Sequence, residues 1–431
     1  MSHATSRSLH PAPLPHQGRS VAAIASLYLF RMLGLFMVLP VLTLYGSDYA
    51  GSTPFLLGLA LGAYGFSQSL LQIPFGWWSD RWGRRPVIAI GLLLFAAGSL
   101  VAALSESVYG LIIGRFMQGS GAIASALMAL VADATSDRNR SKAMAVIGVS
   151  IGVSFSIALV VGPLVTRWGG LAGVFWVTTG LAFAGLVILY LVIPNVDAAP
   201  RAIIGEKQWL KAVLRNKELL RLDWGILVLH MVLMASFVVI PSLLESVAKI
   251  DRQHHWWVYL PTLGGAFILM LPFMILGERK GHLKVVFLGA VALLVAVETT
   301  LVVASHTTLL LLGCLFLFFV AFNLLEATLP SQITKMAPAS LRGTASGVYS
   351  SSQFLGAFFG GTIGGAAMSI GGTALVFAVN AIVLLSWLVV AWSMATEAPT
   401  TNLQASNNSG HANGTLLNTK TENSVETAES V

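Results

Sequence analysis

Charge is what this sequence has least of. Only 10% of its 431 residues are Asp, Glu, Lys or Arg, against about 25% in a soluble globular chain, whose surface must face water. Cysteine is almost absent as well. The single one, Cys314, excludes a disulfide framework and any paired-thiolate metal site, and in its apolar run it reads as a small packed side chain. Strand-type alternation of polar and apolar residues is missing, which excludes a membrane β-barrel. There is no phosphate-binding loop, no His-Glu-x-x-His and no cysteine cluster, so an ATP-driven pump or a metal-dependent enzyme has no residues to rest on. No cofactor and no metal site are expected. Gly148-Val149-Ser150-Ile151-Gly152 has the letters of a hydrolase nucleophile elbow. That motif needs a strand-turn-helix context and here falls inside a long apolar stretch, so no enzyme is expected.

What the chain has in quantity is apolar sequence, 56% hydrophobic residues with a mean hydropathy of +0.79. Crossing a hydrocarbon core of about 30 Å takes roughly 20 apolar residues. Twelve stretches qualify: 21–45, 55–77, 86–104, 108–131, 142–164, 171–193, 222–247, 256–276, 285–304, 308–333, 343–368 and 372–395. Lipid offers the backbone no hydrogen-bond partner, so each is expected to be a helix. The expected fold is an all-α membrane protein of twelve transmembrane helices in two pseudo-symmetric six-helix bundles, 21–193 and 222–395. A polar tail, 1–20, precedes them. The linker 194–221 carries six basic residues, with Trp209, Leu210, Val213 and Leu214 spaced for a short amphipathic helix. Residues 396–431, rich in Ser, Thr, Asn and Glu, are expected to be a disordered tail.

The net charge of +7 is an orientation signal and not a nucleic-acid footprint. With the amino terminus inside, cytoplasmic segments hold 20 of the Lys and Arg residues and the opposite loops hold 3, Arg167, Lys249 and Arg252. That asymmetry places both termini in the cytoplasm of a bacterial inner membrane. The first stretch is too long for a signal peptide, carries Arg31 at its middle and lacks a small-residue cleavage site. The partners expected are the lipid bilayer and a small solute, acting on a monomer.

The halves repeat. Arg140-Ser141-Lys142-Ala143-Met144-Ala145-Val146 opens helix 5 as Arg342-Gly343-Thr344-Ala345-Ser346-Gly347-Val348 opens helix 11. Gly277-Glu278-Arg279-Lys280-Gly281 after helix 8 is a weaker counterpart of the segment after helix 2. Parallel six-helix repeats are a transporter plan, with the substrate site between them near the midplane.

The segment after helix 2 is Gly76-Trp77-Trp78-Ser79-Asp80-Arg81-Trp82-Gly83-Arg84-Arg85-Pro86. It matches the glycine, aspartate, basic, glycine, basic signature of the major facilitator superfamily. Arg115-Phe116-Met117-Gln118-Gly119-Ser120-Gly121 on helix 4 matches a second signature. The chain therefore resembles that superfamily over about residues 20–396. Arg31-Met32-Leu33-Gly34-Leu35-Phe36-Met37-Val38-Leu39-Pro40, Gln72-Ile73-Pro74-Phe75-Gly76 and Phe322-Asn323-Leu324-Leu325-Glu326-Ala327 resemble its drug:proton antiporter branch. The resemblance implies alternating access, a cavity lined by helices 1, 4, 7 and 10, and proton-coupled efflux driven by the proton gradient. Two departures stand out. A folded carboxy-terminal domain known in that branch has no counterpart in the short polar tail, and the antiporter signature on helix 5 keeps Gly152, Gly162 and Pro163 but has Ala158 where a glycine is usual. The alternatives are a carrier for a specific anionic metabolite and a non-transporting membrane sensor.

Within this frame the charges can be assigned roles. Gly76 and Gly83 permit close helix approach and a tight turn. Asp80 is expected near the start of helix 3, favoured by its dipole, and Asp133 can meet Arg81, Arg84 or Arg85. Such a pair would be a latch holding the halves together on one side, with Glu326 and Arg342 as its equivalent in the second half. The plainer alternative is that these cations only obey the positive-inside rule. Arg31, about 15 Å into helix 1, and Arg115 should face a cavity or a partner, since a centred Arg costs at least about 2.5 kcal/mol to insert; hydrogen-bonding to exposed carbonyls is the structural alternative. His230 is the first candidate for a titrating group and Glu298 the second. Gln118, Tyr64, Gln68, Gln72, Asn323, Tyr349 and Gln353 could contact substrate or could serve as glue between helices.

Overall fold

The computed structural model describes residues 17–135, 137–193, 206–279, 281–338 and 341–394. The tail expected at 396–431, most of 1–20 and the first part of the linker lie outside the described residues. Among the described residues, ten helices are long and apolar enough to cross a membrane. Two of them, Asp137–Leu191 and Arg342–Trp392, run to 55 and 51 residues, more than twice what one crossing needs. Each is broken at a glycine: Gly170 has φ +59° and Gly372 has φ +66°, the left-handed region that other residues avoid. The chain turns there, so each run is two spans and the total is twelve. The two turns lie 202 residues apart in sequence, the same offset as Arg140 and Arg342, which extends the internal repeat through both helix pairs.

Helix 1 is Gln17–Phe36, helix 2 Pro54–Trp82, helix 3 Arg84–Leu104, and helix 4 Val108–Ser120 continued by Ala124–Ala134. Helices 5 and 6 are the arms of Asp137–Leu191. A linker helix, Glu206–Arg215, precedes helix 7, Lys217–Ser246, followed by helix 8, Trp256–Arg279, helix 9, Leu283–Ala304, and helix 10, Thr308–Met336. Helices 11 and 12 are the arms of Arg342–Trp392. Helix starts are set by local chemistry. Thr53 caps helix 2 by accepting from the Leu56 N–H with Pro54 at the first position, and Asn216 caps helix 7 by accepting from the N–H groups of Glu218 and Leu219. On the linker helix Val213 is buried, as its amphipathic spacing requires.

Three expected helices differ. Helix 1, read as continuous over 21–45, stops at Phe36 and resumes as Leu42–Tyr45. Pro40 has no N–H for the Phe36 carbonyl, which instead accepts from Leu39 at 3.1 Å. Helix 2 continues past 77 to Trp82, so the signature rides on the helix until Gly83 (φ +91°) ends it. Helix 4 is interrupted at 121–123.

The end of the bundle that carries residues 17 and 394 is here called the terminal end, the other the far end. The halves close on one another at the far end. Gly58, Gly62 and Gly65 of helix 2 face Gly361, Gly365, Phe354 and Phe358 of helix 11 so closely that a Cβ on any of the three glycines would collide with the opposite backbone. Phe155 of helix 5 packs on Phe319 and Phe322 of helix 10 at 6.1 and 5.9 Å between ring centroids. Arg252, before helix 8, lies 5.2 Å over the Tyr45 ring.

Candidate functional site

At the terminal end the signature residues form one connected group. The Arg84 guanidinium is buried and donates to Asp133 Oδ2 at 2.8 Å and to Ser79 Oγ at 2.7 Å, and it pairs with Asp80. Gly76 lets helix 2 approach helix 4, since a Cβ there would press on Ser125 at 3.2 Å. Asp80 sits on the last turn of helix 2, not near the start of helix 3, because helix 2 runs on to Trp82. Of the three cations open to Asp133, Arg84 is the one engaged here. Arg81 stacks on Trp77 at 3.9 Å, and Arg85 donates to the carbonyls of Leu189, Tyr190 and Ile193 that end helix 6. These contacts tie helices 2, 3, 4 and 6 of the first half together and, unlike the latch expected from the sequence, do not bridge the halves in this conformation. Arg84→Ala removes the shared partner of Asp80 and Asp133, and losing a hydrogen bond to a charged group costs about 1.5–3 kcal/mol. A lower apparent melting temperature in lipid nanodiscs is the expected result.

Arg31 and Arg115 lie fully inside the first half, 1% and 0% exposed, so in this conformation they do not line an open cavity. The interruption of helix 4 explains Arg31. The Gly121 carbonyl, turned out of the helix, accepts from Arg31 Nη2 at 3.1 Å, and Tyr28 donates to the Ala124 carbonyl at 3.1 Å. Arg31 also donates to Gln68 Oε1, and Gln68 Nε2 donates to Gln72 Oε1 at 2.8 Å. Arg115 donates to Gln118 Oε1 at 2.8 Å, Gln118 donates to Ser99 Oγ at 2.7 Å, and the guanidinium lies 5.0 Å over the Tyr64 ring. Both cations have only neutral acceptors, and Arg31 Nε and Nη1 and Arg115 Nη2 keep hydrogens without a partner.

The second half holds the complementary charge. His230 on helix 7, Glu326 on helix 10 and Gln353 on helix 11 meet at mid-depth. His230 Nδ1 faces the Ile226 carbonyl at 3.3 Å and so carries the proton, leaving Nε2 to accept from Gln353 Nε2 at 2.8 Å. The second hydrogen of that amide goes to Glu326 Oε1 at 3.3 Å, while Glu326 Oε2 lies 3.9 Å from His230 Nε2 without a hydrogen bond. The Glu326 side chain is 31% exposed, while its Oε2 is buried. This overturns the clasp expected between Glu326 and Arg342. Glu326 lies ten residues in from the end of helix 10, about 15 Å, whereas Arg342 is exposed at the start of helix 11. Asn323 is half-buried one turn from Glu326 on the same helix.

Glu298 is fully buried between helices 7, 9 and 12. Ser236 Oγ and Asn380 Nδ2 each donate to it at 3.1 Å, and Asn380 also donates to Ser236 at 3.1 Å. Three helices are braced there by one carboxyl, beside a narrow crevice lined by Phe237, Leu315 and Phe318. Asp223, the second residue of the stretch read as helix 7, had no role assigned from the sequence. It is 5% exposed, and neither carboxyl oxygen has a hydrogen-bond partner. Its spacing from His230, seven residues on one helix, was the available signal.

Twelve spans in two repeated bundles, with opposite charges buried in the two halves, define a multi-pass membrane carrier. The model of the Major Facilitator Superfamily matches residues 24–256 and 231–421, and the chain belongs to that family. It is 46% identical to the inner membrane transport protein YajR of Escherichia coli (strain K12), over 88% of this chain and 84% of YajR. It is 26% identical to multidrug resistance protein 2 of Bacillus subtilis (strain 168), over 77% of this chain and 84% of that protein. Among solved structures, the nucleoside transporter NupG superposes with a TM-score of 0.71 at 14% identity, covering 87% of this chain and 99% of NupG; at that identity the likeness concerns the fold. The protein is accordingly a multi-pass inner membrane transporter. Gly148-x-Ser150-x-Gly152 lies within helix 5, without the strand that a nucleophile elbow requires.

Proposed function

We propose that this protein is a proton-coupled transporter that exports small molecules by alternating access, with both termini in the cytoplasm. The observation that carries this reading is the His230–Gln353–Glu326 group. A carboxylate that has no Lys or Arg partner, faces the interior, and is joined through one amide to a neighbouring imidazole can take up and release a proton. Closure at the far end then corresponds to a state facing the cytoplasm. The Asp80–Arg84–Asp133 group keeps helices 2, 3 and 4 together as one body, and the proton gradient is the energy source, with no cofactor. The names of YajR and of the multidrug resistance relative support inner-membrane efflux. Everted vesicles test it: an added substrate should collapse an imposed pH gradient with the wild-type protein and fail to do so with His230→Gln. Unchanged coupling in both His230→Gln and Glu326→Gln would place the proton site elsewhere.

A carrier for a specific organic anion is the second reading, favoured by the unpaired hydrogens of Arg31 and Arg115. A thermal-shift screen of organic anions against lipophilic cations separates the two. Stabilisation by cations alone rules out the anion carrier.

A further inference from the structure

Below the His230 layer, towards the terminal end, further buried polar groups have no hydrogen-bond partner, among them both oxygens of Asp223, the Tyr349 hydroxyl and the Trp387 indole N–H. Asp223 and Tyr349 are 5% and 6% exposed. An unpaired carboxyl inside a bundle is costly, and nothing in the packing recovers that cost. Nearby cations are committed or face outward. Arg221 is paired with Glu218 and donates to the Ser393 carbonyl at 3.0 Å, while Lys217 and Arg215 are exposed.

The placement of these groups is ordered. Asp223 precedes His230 by seven residues on helix 7, two turns and about 10 Å along the same face. Tyr349 precedes Gln353 by four residues on helix 11, one turn along its face. Helices 7 and 11 lie in backbone contact, since a Cβ on Gly356 would strike the Leu227 carbonyl and one on Gly360 the Met231 carbonyl. Both helices start at the terminal end, so seven residues back from the Gly356–Leu227 contact Tyr349 stands level with Leu220, within one turn of Asp223, and one turn further along helix 11 Gln353 donates to Glu326. On the helices packed against it, the titratable group level with Asp223 is Tyr349 on helix 11; His230 follows two turns along its own helix, and Glu326 on helix 10 lies beyond Gln353. The Trp387 indole of helix 12 meets helix 7 at Gly225.

We infer that Asp223 is a second proton-binding site, and that Tyr349 passes the proton between it and Glu326. The inference rests on the proton-coupled reading given above. In balance, a proton from the terminal side adds to the Asp223 carboxylate. The resulting acid gives it up to the Tyr349 oxygen as that hydroxyl releases its own hydrogen to the Glu326 carboxylate. Asp223 returns to the ionised form, Tyr349 is unchanged and Glu326 is protonated. Because the Tyr349 hydroxyl makes no hydrogen bond in this structure, the transfer closes through a bridging water or a rotation of the side chain.

The test needs no knowledge of the transported molecule. Infrared difference spectra after a pH jump, on full-length protein in lipid, report each carboxyl by its C=O band. Glu326→Gln assigns one band and Asp223→Asn the other. The expected result is an Asp223 band in the wild type, and a Glu326 band that rises at least about tenfold more slowly in both Asp223→Asn and Tyr349→Phe. Asp223→Glu should restore the rate. A Glu326 band that keeps its wild-type rate in both variants overturns the inference and leaves the proton-coupled reading standing. Absence of any titrating carboxyl band overturns both. Since the Asp223 oxygens hold nothing in place, Asp223→Asn should leave the melting temperature unchanged or higher. A fall of several degrees would mark a structural role and also overturn the inference.

Discussion

Glu326→Gln should abolish transport driven by a pH gradient while leaving substrate exchange at equal pH on the two sides. The substitution keeps an oxygen for the Gln353 amide to donate to at the Oε1 position and removes only the capacity to ionise. A positioned proton-transfer group contributes about 10²–10⁴-fold, so driven transport should fall at least about a hundredfold. Exchange, which needs the halves to rock but no net proton movement, should stay within a factor of a few. His230→Gln should act in the same direction, because the imidazole Nε2 is held by the other hydrogen of the same amide at 2.8 Å. Proteoliposomes with an imposed gradient, compared with counterflow at uniform pH, measure both quantities. Equal losses in the two assays would make Glu326 a structural or substrate-binding group and not a proton carrier.

Gly58→Leu and Gly361→Leu should hold the far end apart. Each glycine faces the backbone of the opposite helix, Gly58 against the Gly361 carbonyl and Gly361 against the Gly58 carbonyl. A backbone atom cannot swing away as a flexible side chain can. Overpacking of this kind costs typically about 1–3 kcal/mol, and here the cost falls on one conformation only, the one closed at the far end. A 2 kcal/mol penalty shifts a two-state equilibrium by about thirtyfold, enough to turn a mostly closed far end into a mostly open one. Distances between spin labels at the far-end tips of helices 2 and 11 should lengthen, with turnover falling accordingly. Gly148, whose Cβ direction meets nothing within 4 Å, is the control position; Gly148→Ala should leave both measures unchanged.

How far the sequence went can be argued from these residues. Twelve spans were legible because apolar runs near 20 residues have few other uses, and the repeat was legible from residues 140 and 342. Helix breaks were harder. Pro40 announced the interruption of helix 1, yet the hydropathy carried through it and the span was drawn too long. Nothing local announced the break of helix 4 at Gly121, which forms where its carbonyl accepts from an arginine 90 residues away. Asp80, Arg84 and Asp133 were recognisable as a set from their types and positions. That they connect only helices of the first half was not, because pairing depends on where helix 2 stops.

The amino-acid sequence by itself determined the environment, the number of crossings, the two-fold internal plan and the family. These follow from composition and from spacing along one chain, which any solvent-transfer argument can read. Only the tertiary structure decided which polar groups meet. Arg31 and Arg115 became buried ties to carbonyl and amide oxygens, Glu326 turned to Gln353 and His230 and away from Arg342, and Asp223 was left without a partner. Each of those outcomes depends on helix rotation and vertical register. A rotation of one residue, 100° on a helix, would send any of these side chains to lipid, and hydropathy summed along a span does not record that angle.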